Sequence, residues 1–407
     1  MASAALAASL ADAVAARHDD MLALLETLVC IESPSDDPDA IAAVQQPMAD
    51  VLKSLGFAVH QMPGRDGRGP HLYARPASRT RHAPVQLLVG HCDTVWPHGT
   101  LETMPFAIDG NVIRGPGTFD MKGGLVQMLT ALQALTDVGV HPGTDLPLTP
   151  VVFINADEEV GSPTSARHIH RLARRAHRAF VAESSLGLDG KLKTSRKGTG
   201  RYTIHIRGKS AHAGLDPESG ASAILELSHV VRAVHDLNDP AAGLTVNVGT
   251  IEGGTRPNVV AAESRAEVDV RVTTHAQAER VDRLLRSLEA TTPGTALQIE
   301  GGVERPPMAF TERSQKLWAQ AKQAASWLDI PLDHGRSGGA SDGNLTSQHA
   351  PTLDGLGAVG DGAHAPHEFC YADKMVERAA LLAVLLTAPP LDEPDASVRF
   401  SEASASI

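Results

Sequence analysis

A short apolar run that ends in paired carboxylates constrains this chain most. Pro150-Val-Val-Phe-Ile reads as a buried strand, and Asn155-Ala-Asp-Glu-Glu-Val-Gly-Ser162 follows it directly. In an open α/β sheet, ligand chemistry gathers at the carboxyl ends of the strands. Adjacent carboxylates repel each other unless something positive stands nearby. A bound metal ion meets that need, with one glutamate on the ion and the other available as a base. A lone Glu-Glu pair is more often a solvated acidic turn, so the rest of the chain has to decide.

The same grammar recurs on either side. Residues 1–30 carry helix periodicity, and a second helix over 38–55 stops at Gly56. Short strands are expected near 57–61 and 70–75. Val85-Gln-Leu-Leu-Val-Gly90 reads as a buried strand with His91-Cys-Asp-Thr-Val95 at its end. The Gly-rich loop Gly115-Pro-Gly-Thr-Phe-Asp-Met-Lys-Gly-Gly124 leads into a helix over 123–137. Arg178-Ala-Phe-Val-Ala182 is another buried strand, ending at Glu183. Strands alternating with helices predict an α/β fold with a largely parallel sheet and helices on both faces.

Near 197 the pattern changes. Arg201-Tyr-Thr-Ile-His-Ile-Arg207 alternates as a half-exposed strand. A helix (219–237), strands (244–251 and 262–273), a helix (276–290) and a strand (295–302) follow. This β-α-β-β-α-β order predicts a smaller open-faced α+β domain inserted into the first. The expected division is a catalytic domain over 1–196 and 309–388, the insert over 197–308, and a disordered tail over 389–407, which is rich in Pro, Ser, Asp and Ala.

Composition narrows the partners. The net charge is −12 and no basic run stands out, which argues against nucleic acid and anionic membranes. No apolar stretch reaches the ~18 residues of a membrane helix. The N-terminus reads as an amphipathic helix rather than a signal peptide. Cys30, Cys92 and Cys370 are widely spaced and odd in number, so a reducing, cytoplasmic setting is expected. Aromatics make up 3% of the chain, so the core should rest on Ala, Val and Leu.

His91, Asp120, Glu159, Glu183 and His364 lie after predicted strands or in Gly-rich loops. Taken singly, each has an ordinary reading as a turn, cap or loop residue. Together they form a nitrogen and carboxylate donor set without cysteine, which suits zinc, cobalt or manganese. The set exceeds what one tetrahedral ion needs. A carboxylate shared between two ions makes the count work, with one histidine and one terminal carboxylate per ion. Two ions ~3.5–4 Å apart would clamp a bridging water and polarise a carbonyl. Glu158 could take the water's proton and pass it to the leaving amine.

These motifs carry a resemblance. Gly90-His-Cys-Asp-Thr-Val95, Gly115-Pro-Gly-Thr-Phe-Asp-Met-Lys-Gly123, Asp157-Glu-Glu-Val-Gly161, Ala182-Glu-Ser and His364-Ala-Pro-His-Glu368 resemble, in order, the motifs of the zinc-dependent carboxypeptidase G, acetylornithine deacetylase and aminoacylase superfamily. The glutamate carboxypeptidases are the nearest branch. The resemblance implies that His91 and Glu183 bind one ion, Glu159 and His364 the other, and Asp120 both. It implies that Asp93 orients His91, that Glu158 is the general base and that the Asp120-Met121 bond is cis. His367 stands where the family more often has Asn or Asp; the spacing to Glu368 favours His364 as the ligand.

The insert resembles the family's lid and dimerisation domain at Gly208-Lys-Ser-Ala-His-Ala-Gly214. By that likeness the protein is a homodimer, and His212 stabilises an oxyanion in the partner subunit. Asn258 looks like a substrate-orienting amide. Gly339, in Ser337-Gly-Gly-Ala-Ser-Asp-Gly343, resembles a pocket-lining loop. Arg271, Arg305 and Lys191 are candidates for holding a substrate carboxylate. The implied reaction is amide hydrolysis: a carboxypeptidase releasing C-terminal glutamate or a similar acidic residue, or a deacylase of N-acetyl or N-succinyl amino acids. A catalytically silent peptide-binding homologue is the reading from outside enzymology, and the intact ligand set with Glu158 counts against it.

Overall fold

The computed structural model describes residues 2–80 and 83–391. The expected 389–407 tail lies outside the described residues from 392 onward. The chain divides into two units. The first takes residues up to Thr194, Phe310–Gly335 and the residues from Leu345 on; the second takes Ser195–Ala309 and Arg336–Asn344. Arg336–Asn344 groups with the second unit because its polar contacts lie there. Asn344 Nδ2 donates to the carbonyls of Lys197 (3.0 Å) and Pro306 (2.8 Å), and Lys197 N–H donates to Ser337 O (3.1 Å).

The first unit is built on a six-stranded sheet. Thr149–Asn155, Val85–His91, Ala176–Val181 and Thr352–Leu353 are parallel; His71–Pro76 and Phe57–Met62 add an antiparallel edge. Side chains alternate across a strand, and here both faces are buried. Leu88, Val152, Ile154 and Phe180 join the core packed by the helices Ala4–Ala15, His18–Val29, Gly123–Asp137 and Ala372–Thr387. Leu87, Val89, Phe153 and Val181 face the other way, onto Ile169 and Ala173 of the helix Ala166–Ala173.

Where one helix was expected, the chain forms two, Ala4–Ala15 and His18–Val29. The chain leaves helical geometry at Arg17, whose guanidinium grips Asp137 through two bonds (Nε–Oδ2 2.5 Å, Nη2–Oδ1 2.8 Å). That anchor lets two apolar stripes, one on each side of the break, meet the core separately. The helix Pro38–Ser54 starts where expected. Asp37 accepts the N–H groups of Asp39 and Ala40, and Pro38 takes the first helical position, where a missing N–H costs nothing.

Arg178 is buried and, among the described residues, has no carboxylate partner. It donates to the Gln86 and Gln320 side chains and to the carbonyls of Leu385, Ala388 and Pro389. Those carbonyls stand at and just past the end of the helix Ala372–Thr387, where the i+4 donors of the helix run out; only Leu385 O also accepts a backbone N–H, that of Ala388 at 3.1 Å. Burial pushes the guanidinium pKa down to about 9.

The second unit has a four-stranded antiparallel sheet in the order Thr245–Gly253, Glu263–Val272, Gly198–Arg207, Ala296–Arg305. The helices Ala223–His235 and His275–Arg286 cover one face through Leu227, Val230, Val234, Val281 and Leu285, packed on Tyr202, Ile204, Val268 and Val270. The outer face carries the polar half of each strand. Two further strands, Leu192–Arg196 and His334–Ser337, pair with each other, and each carries the chain from one unit into the other. Among the described residues no helix is long and apolar enough to cross a membrane.

Candidate metal centre

Three neighbouring parallel strands end at one edge of the sheet. In their register His91 lies opposite Asn155, and Val89 opposite Val181. Residues just past those ends therefore converge: His91 itself, Glu158 and Glu159, and Glu183. The helix Gly123–Asp137 closes onto the same edge. A Cβ at Gly124 would collide with the Ala182 carbonyl, so only glycine permits that approach. Asp120 stands just before this helix, and its bond to Met121 is cis. His364 comes from a turn before the strand Phe369–Tyr371.

The donor atoms form a connected set. His91 Nε2 lies 3.3 Å from Asp120 Oδ1 and 3.5 Å from Glu183 Oε1. His364 Nε2 lies 3.5 Å from Asp120 Oδ2 and 3.0 Å from Glu159 Oε2. One carboxylate thus faces two histidine–carboxylate pairs, one through each oxygen. The donors of His91, Asp120 and Glu159 lie within 4.8 Å of one another, as do those of His91, Glu158 and Glu183. His364 adopts φ +60°, a left-handed conformation that histidine enters more readily than most residues. His367 is exposed on the same turn.

Asp93 is fully buried and organises the edge. His91 Nδ1 faces its backbone carbonyl at 3.0 Å and its carboxylate at 3.4 Å. The carboxylate also accepts the N–H groups of Glu158 and Glu159 (3.2 Å each) and the Ser35 hydroxyl (2.7 Å). It therefore positions His91 and the glutamate pair together. With Nδ1 turned to Asp93, Nε2 is the nitrogen left for a ligand. Asp157 holds the base of the glutamate loop by accepting Thr164 N–H (2.7 Å) and Oγ1–H (2.6 Å). Ser35 and Asp157 were not singled out from the sequence. Ser33-Pro34-Ser35 read only as a helix breaker, because a serine's partner far along the chain leaves no local pattern.

Charge compensation inside this cluster is unusual. Burial alone would lower the His91 imidazole, but hydrogen bonds to Asp120, Asp93 and Glu183 raise it well above 6.5. Hydrogen bonds to Asp120 and Glu159 raise His364 to about 10. Burial raises Glu159 to about 8, with the Asp120 charge adding to it and His364 opposing. Burial works against the Asp120 carboxylate, yet His364 and His91 hold it well below its ordinary range. Without an ion, the cluster favours retained protons on His91, Glu159 and His364, a charge that a cation would supply instead. Among the described residues the buried Glu159 Oε1 has no hydrogen-bond donor. A buried carboxylate oxygen without a donor is costly, and a divalent ion would satisfy it. The residues present therefore fit a metal.

The other expected residues fall elsewhere. In the second unit His212 is exposed, and its Nδ1 accepts N–H from Gly214 and Leu215 (3.1 Å each). That makes Nε2 the protonated nitrogen of the neutral ring. Asn258 lies on the adjoining loop, its carbonyl accepting Ala213 N–H at 3.0 Å. Arg271 and Arg305 both register with Thr199, on either side of it. Arg271 pairs with Asp269 through two bonds (2.9 and 3.0 Å); Arg305 is buried with Nη2 3.8 Å from Asp342. Gly339 is exposed and its carbonyl accepts Arg196 Nη1–H at 3.1 Å. Lys191, in the first unit, pairs with Asp189 (3.2 Å) and Asp333 (3.7 Å). Lys191 and the two arginines thus belong to different units.

Residues 87–388 match the family described as peptidase family M20/M25/M40. Carboxypeptidase G2 from Pseudomonas sp. (strain RS-16) is 30% identical over 352 residues, spanning 84% of this chain and 82% of that protein. The aminopeptidase PepT of Bacillus cereus superposes with a TM-score of 0.72 at 22% identity, covering 91% of this chain and 98% of that one. YxeP of Bacillus subtilis, described as a dinuclear metal-binding peptidase, does so with a TM-score of 0.65 at 15% identity, covering 91% and 98%. At these identities the two structures speak for the fold alone. The family match and the carboxypeptidase relative go further: this chain belongs to peptidase family M20/M25/M40 and is a hydrolase of peptide bonds.

Proposed function

We propose that the chain is a two-metal carboxypeptidase that releases C-terminal glutamate or a similarly acidic residue. The observation that carries the metal reading is Asp120, which turns one oxygen to each of two histidine–carboxylate pairs. His91 and Glu183 would hold one ion, Glu159 and His364 the other, with Asp120 shared. Zinc suits this donor set, and cobalt or manganese could replace it. The description of YxeP as dinuclear supports two ions. Such ions polarise a scissile carbonyl and acidify water. Glu158, held by Asp93 through its backbone, takes the proton from the attacking water and delivers it to the leaving nitrogen. In this reading His212, through Nε2–H, serves the oxyanion in a partner subunit's site, and Asn258 orients the substrate.

Specificity rests on the guanidinium groups. An arginine fork matches a carboxylate, and Arg271 is already held in one orientation by Asp269. Arg305 stands across Thr199 from it, and the Gly339 loop is assigned to the pocket wall. A substrate carboxylate at Lys191 would have to compete with Asp189 and Asp333. The relative named as a carboxypeptidase supports this side of the reading.

The test is amino-acid release, with zinc or cobalt added, from a matched panel. It contains an N-acyl-glutamate, an N-acyl-aspartate, N-acetylornithine, N-succinyl-diaminopimelate and a neutral N-acyl amino acid. The acidic members should be cleaved with the highest kcat/KM. Preference for the others would replace the carboxypeptidase reading by a deacylase with the same metal centre.

We also infer a homodimer through the second unit. Thr245–Gly253 is an edge strand of that unit's sheet and exposes Ile251, and Leu215, Ile224 and Leu225 of the same unit expose further apolar surface. Exposed strand edges and apolar patches invite a partner. Sedimentation equilibrium should give twice the mass of one chain; a single-chain mass would refute the dimer.

A further inference from the structure

The turn that carries His364 ends in a carboxylate to which the proposed reaction gives no task. Glu368 is 1% exposed. Its Oε2 accepts Gly117 N–H at 2.9 Å and the Trp96 indole Nε1–H at 3.0 Å. Its Oε1 accepts Phe119 N–H at 2.9 Å and Asp120 N–H at 3.0 Å. A carboxylate has room for about four such bonds, so Glu368 is saturated. Three of its donors belong to the loop that carries Asp120.

The topology explains why this residue can reach that loop. Val112–Arg114 pairs antiparallel with Phe369–Tyr371, and Phe369 lies opposite Arg114. The residues after Arg114 and those before Phe369 therefore leave the ladder at the same end. The first segment becomes the Asp120 loop and the second the His364 turn. The turn itself is tight: Ala365 N–H donates to Gly362 O and Glu368 N–H to Ala365 O, each at 2.9 Å. Gly362 has φ +85°, and a Cβ there would stand 2.9 Å from Glu368 Cα. The backbone between His364 and Glu368 thus has little freedom. Glu368 is therefore tied both to the turn that carries His364 and to the backbone N–H of Asp120.

We propose that Glu368 is a positioning residue for the metal centre, joining the Asp120 loop to the His364 turn and holding those two donors in one arrangement. This rests on the reading of Asp120 and His364 as ligands. Bonds to an ionised acceptor are roughly twice as strong as neutral ones, so the carboxylate form matters. A glutamine of the same shape would satisfy one pair of donors with its carbonyl and turn its own N–H groups on the other pair.

The experiment compares wild type, Glu368→Gln and Glu226→Gln by Co²⁺ titration, visible absorption of the bound Co²⁺ and thermal unfolding. Glu226 is the control. It is also fully buried and accepts the N–H groups of Thr291 and Thr292, but in the second unit. Glu368→Gln should bind Co²⁺ about 10- to 100-fold more weakly, as loss of a ligand-orienting group does, and should shift the Co²⁺ spectrum. Glu226→Gln should lower the unfolding midpoint and leave Co²⁺ affinity and spectrum unchanged. If Glu368→Gln loses stability but keeps wild-type affinity and spectrum, Glu368 is structural only and the proposal is overturned. If wild type itself binds no Co²⁺, the ligand reading falls and takes the proposal with it. Should Glu368→Gln not fold, Trp96→Phe removes only the indole donor. Weaker Co²⁺ binding in that variant supports the proposal, and wild-type binding overturns it.

Discussion

Glu158→Gln is expected to lower kcat by about 10²- to 10⁴-fold, the usual contribution of a positioned general base, with metal content unchanged. The amide keeps the shape of the side chain and removes the proton acceptor. The backbone of Glu158 is held by Asp93, so the loop should stay in place. The measurement is steady-state turnover beside metal analysis of the same preparation. One rival has a distinct signature. A Glu158 oxygen lies within 4.8 Å of donor atoms of His91 and Glu183. If Glu158 were a ligand, the variant would lose metal along with activity. Normal turnover with full metal would sink the base assignment outright.

Removing the metals should abolish activity and also destabilise the fold. An ion that binds only the native state, at a thousand times its Kd, contributes about 4 kcal/mol. The effect should grow with pH, and the sign follows from the metal-free protein. Glu159, raised to about 8 by burial, and His364, raised to about 10 by its hydrogen bonds to Asp120 and Glu159, both hold protons more tightly folded than unfolded. Stability from a raised pKa is present at low pH and lost as pH rises through the folded value. For Glu159 the loss runs from about 4.5 to about 8, and for His364 from about 6.5 to about 10. The chelated protein should therefore weaken between pH 6 and pH 8, while bound ions replace those protons and protect the loaded protein. Unfolding midpoints with and without chelator at the two pH values measure this. Full activity after exhaustive chelation, or a chelator effect no larger at pH 8 than at pH 6, would count against the metal centre.

How much of this was legible beforehand differs by element. The strands Val85–His91, Thr149–Asn155 and Ala176–Val181 announce themselves as apolar runs because both their faces are buried. The short strands Ala107–Asp109 and Val112–Arg114 did not, because three residues leave no period to read. The break at Arg17 was invisible for a different reason. Helix periodicity continues through it, and the pull comes from Asp137, far along the chain.

The site shows the same division. His91, Asp120, Glu158, Glu159, Glu183 and His364 stand in short motifs whose residue types suffice to propose a chemistry, and the fold brings their side chains together. Local sequence determined them because strand ends, Gly-rich loops and turns are local events. It also put Glu368 in plain view within His364-Ala-Pro-His-Glu368, but only as a spacing mark. Its saturation by Gly117, Phe119, Asp120 and Trp96, like the hold of Ser35 on Asp93, depends on antiparallel pairing and loop packing between distant segments. Tertiary structure alone decided those, because a buried carboxylate is stable only where the fold delivers enough donors, and no stretch of sequence shows which distant backbone N–H groups will arrive.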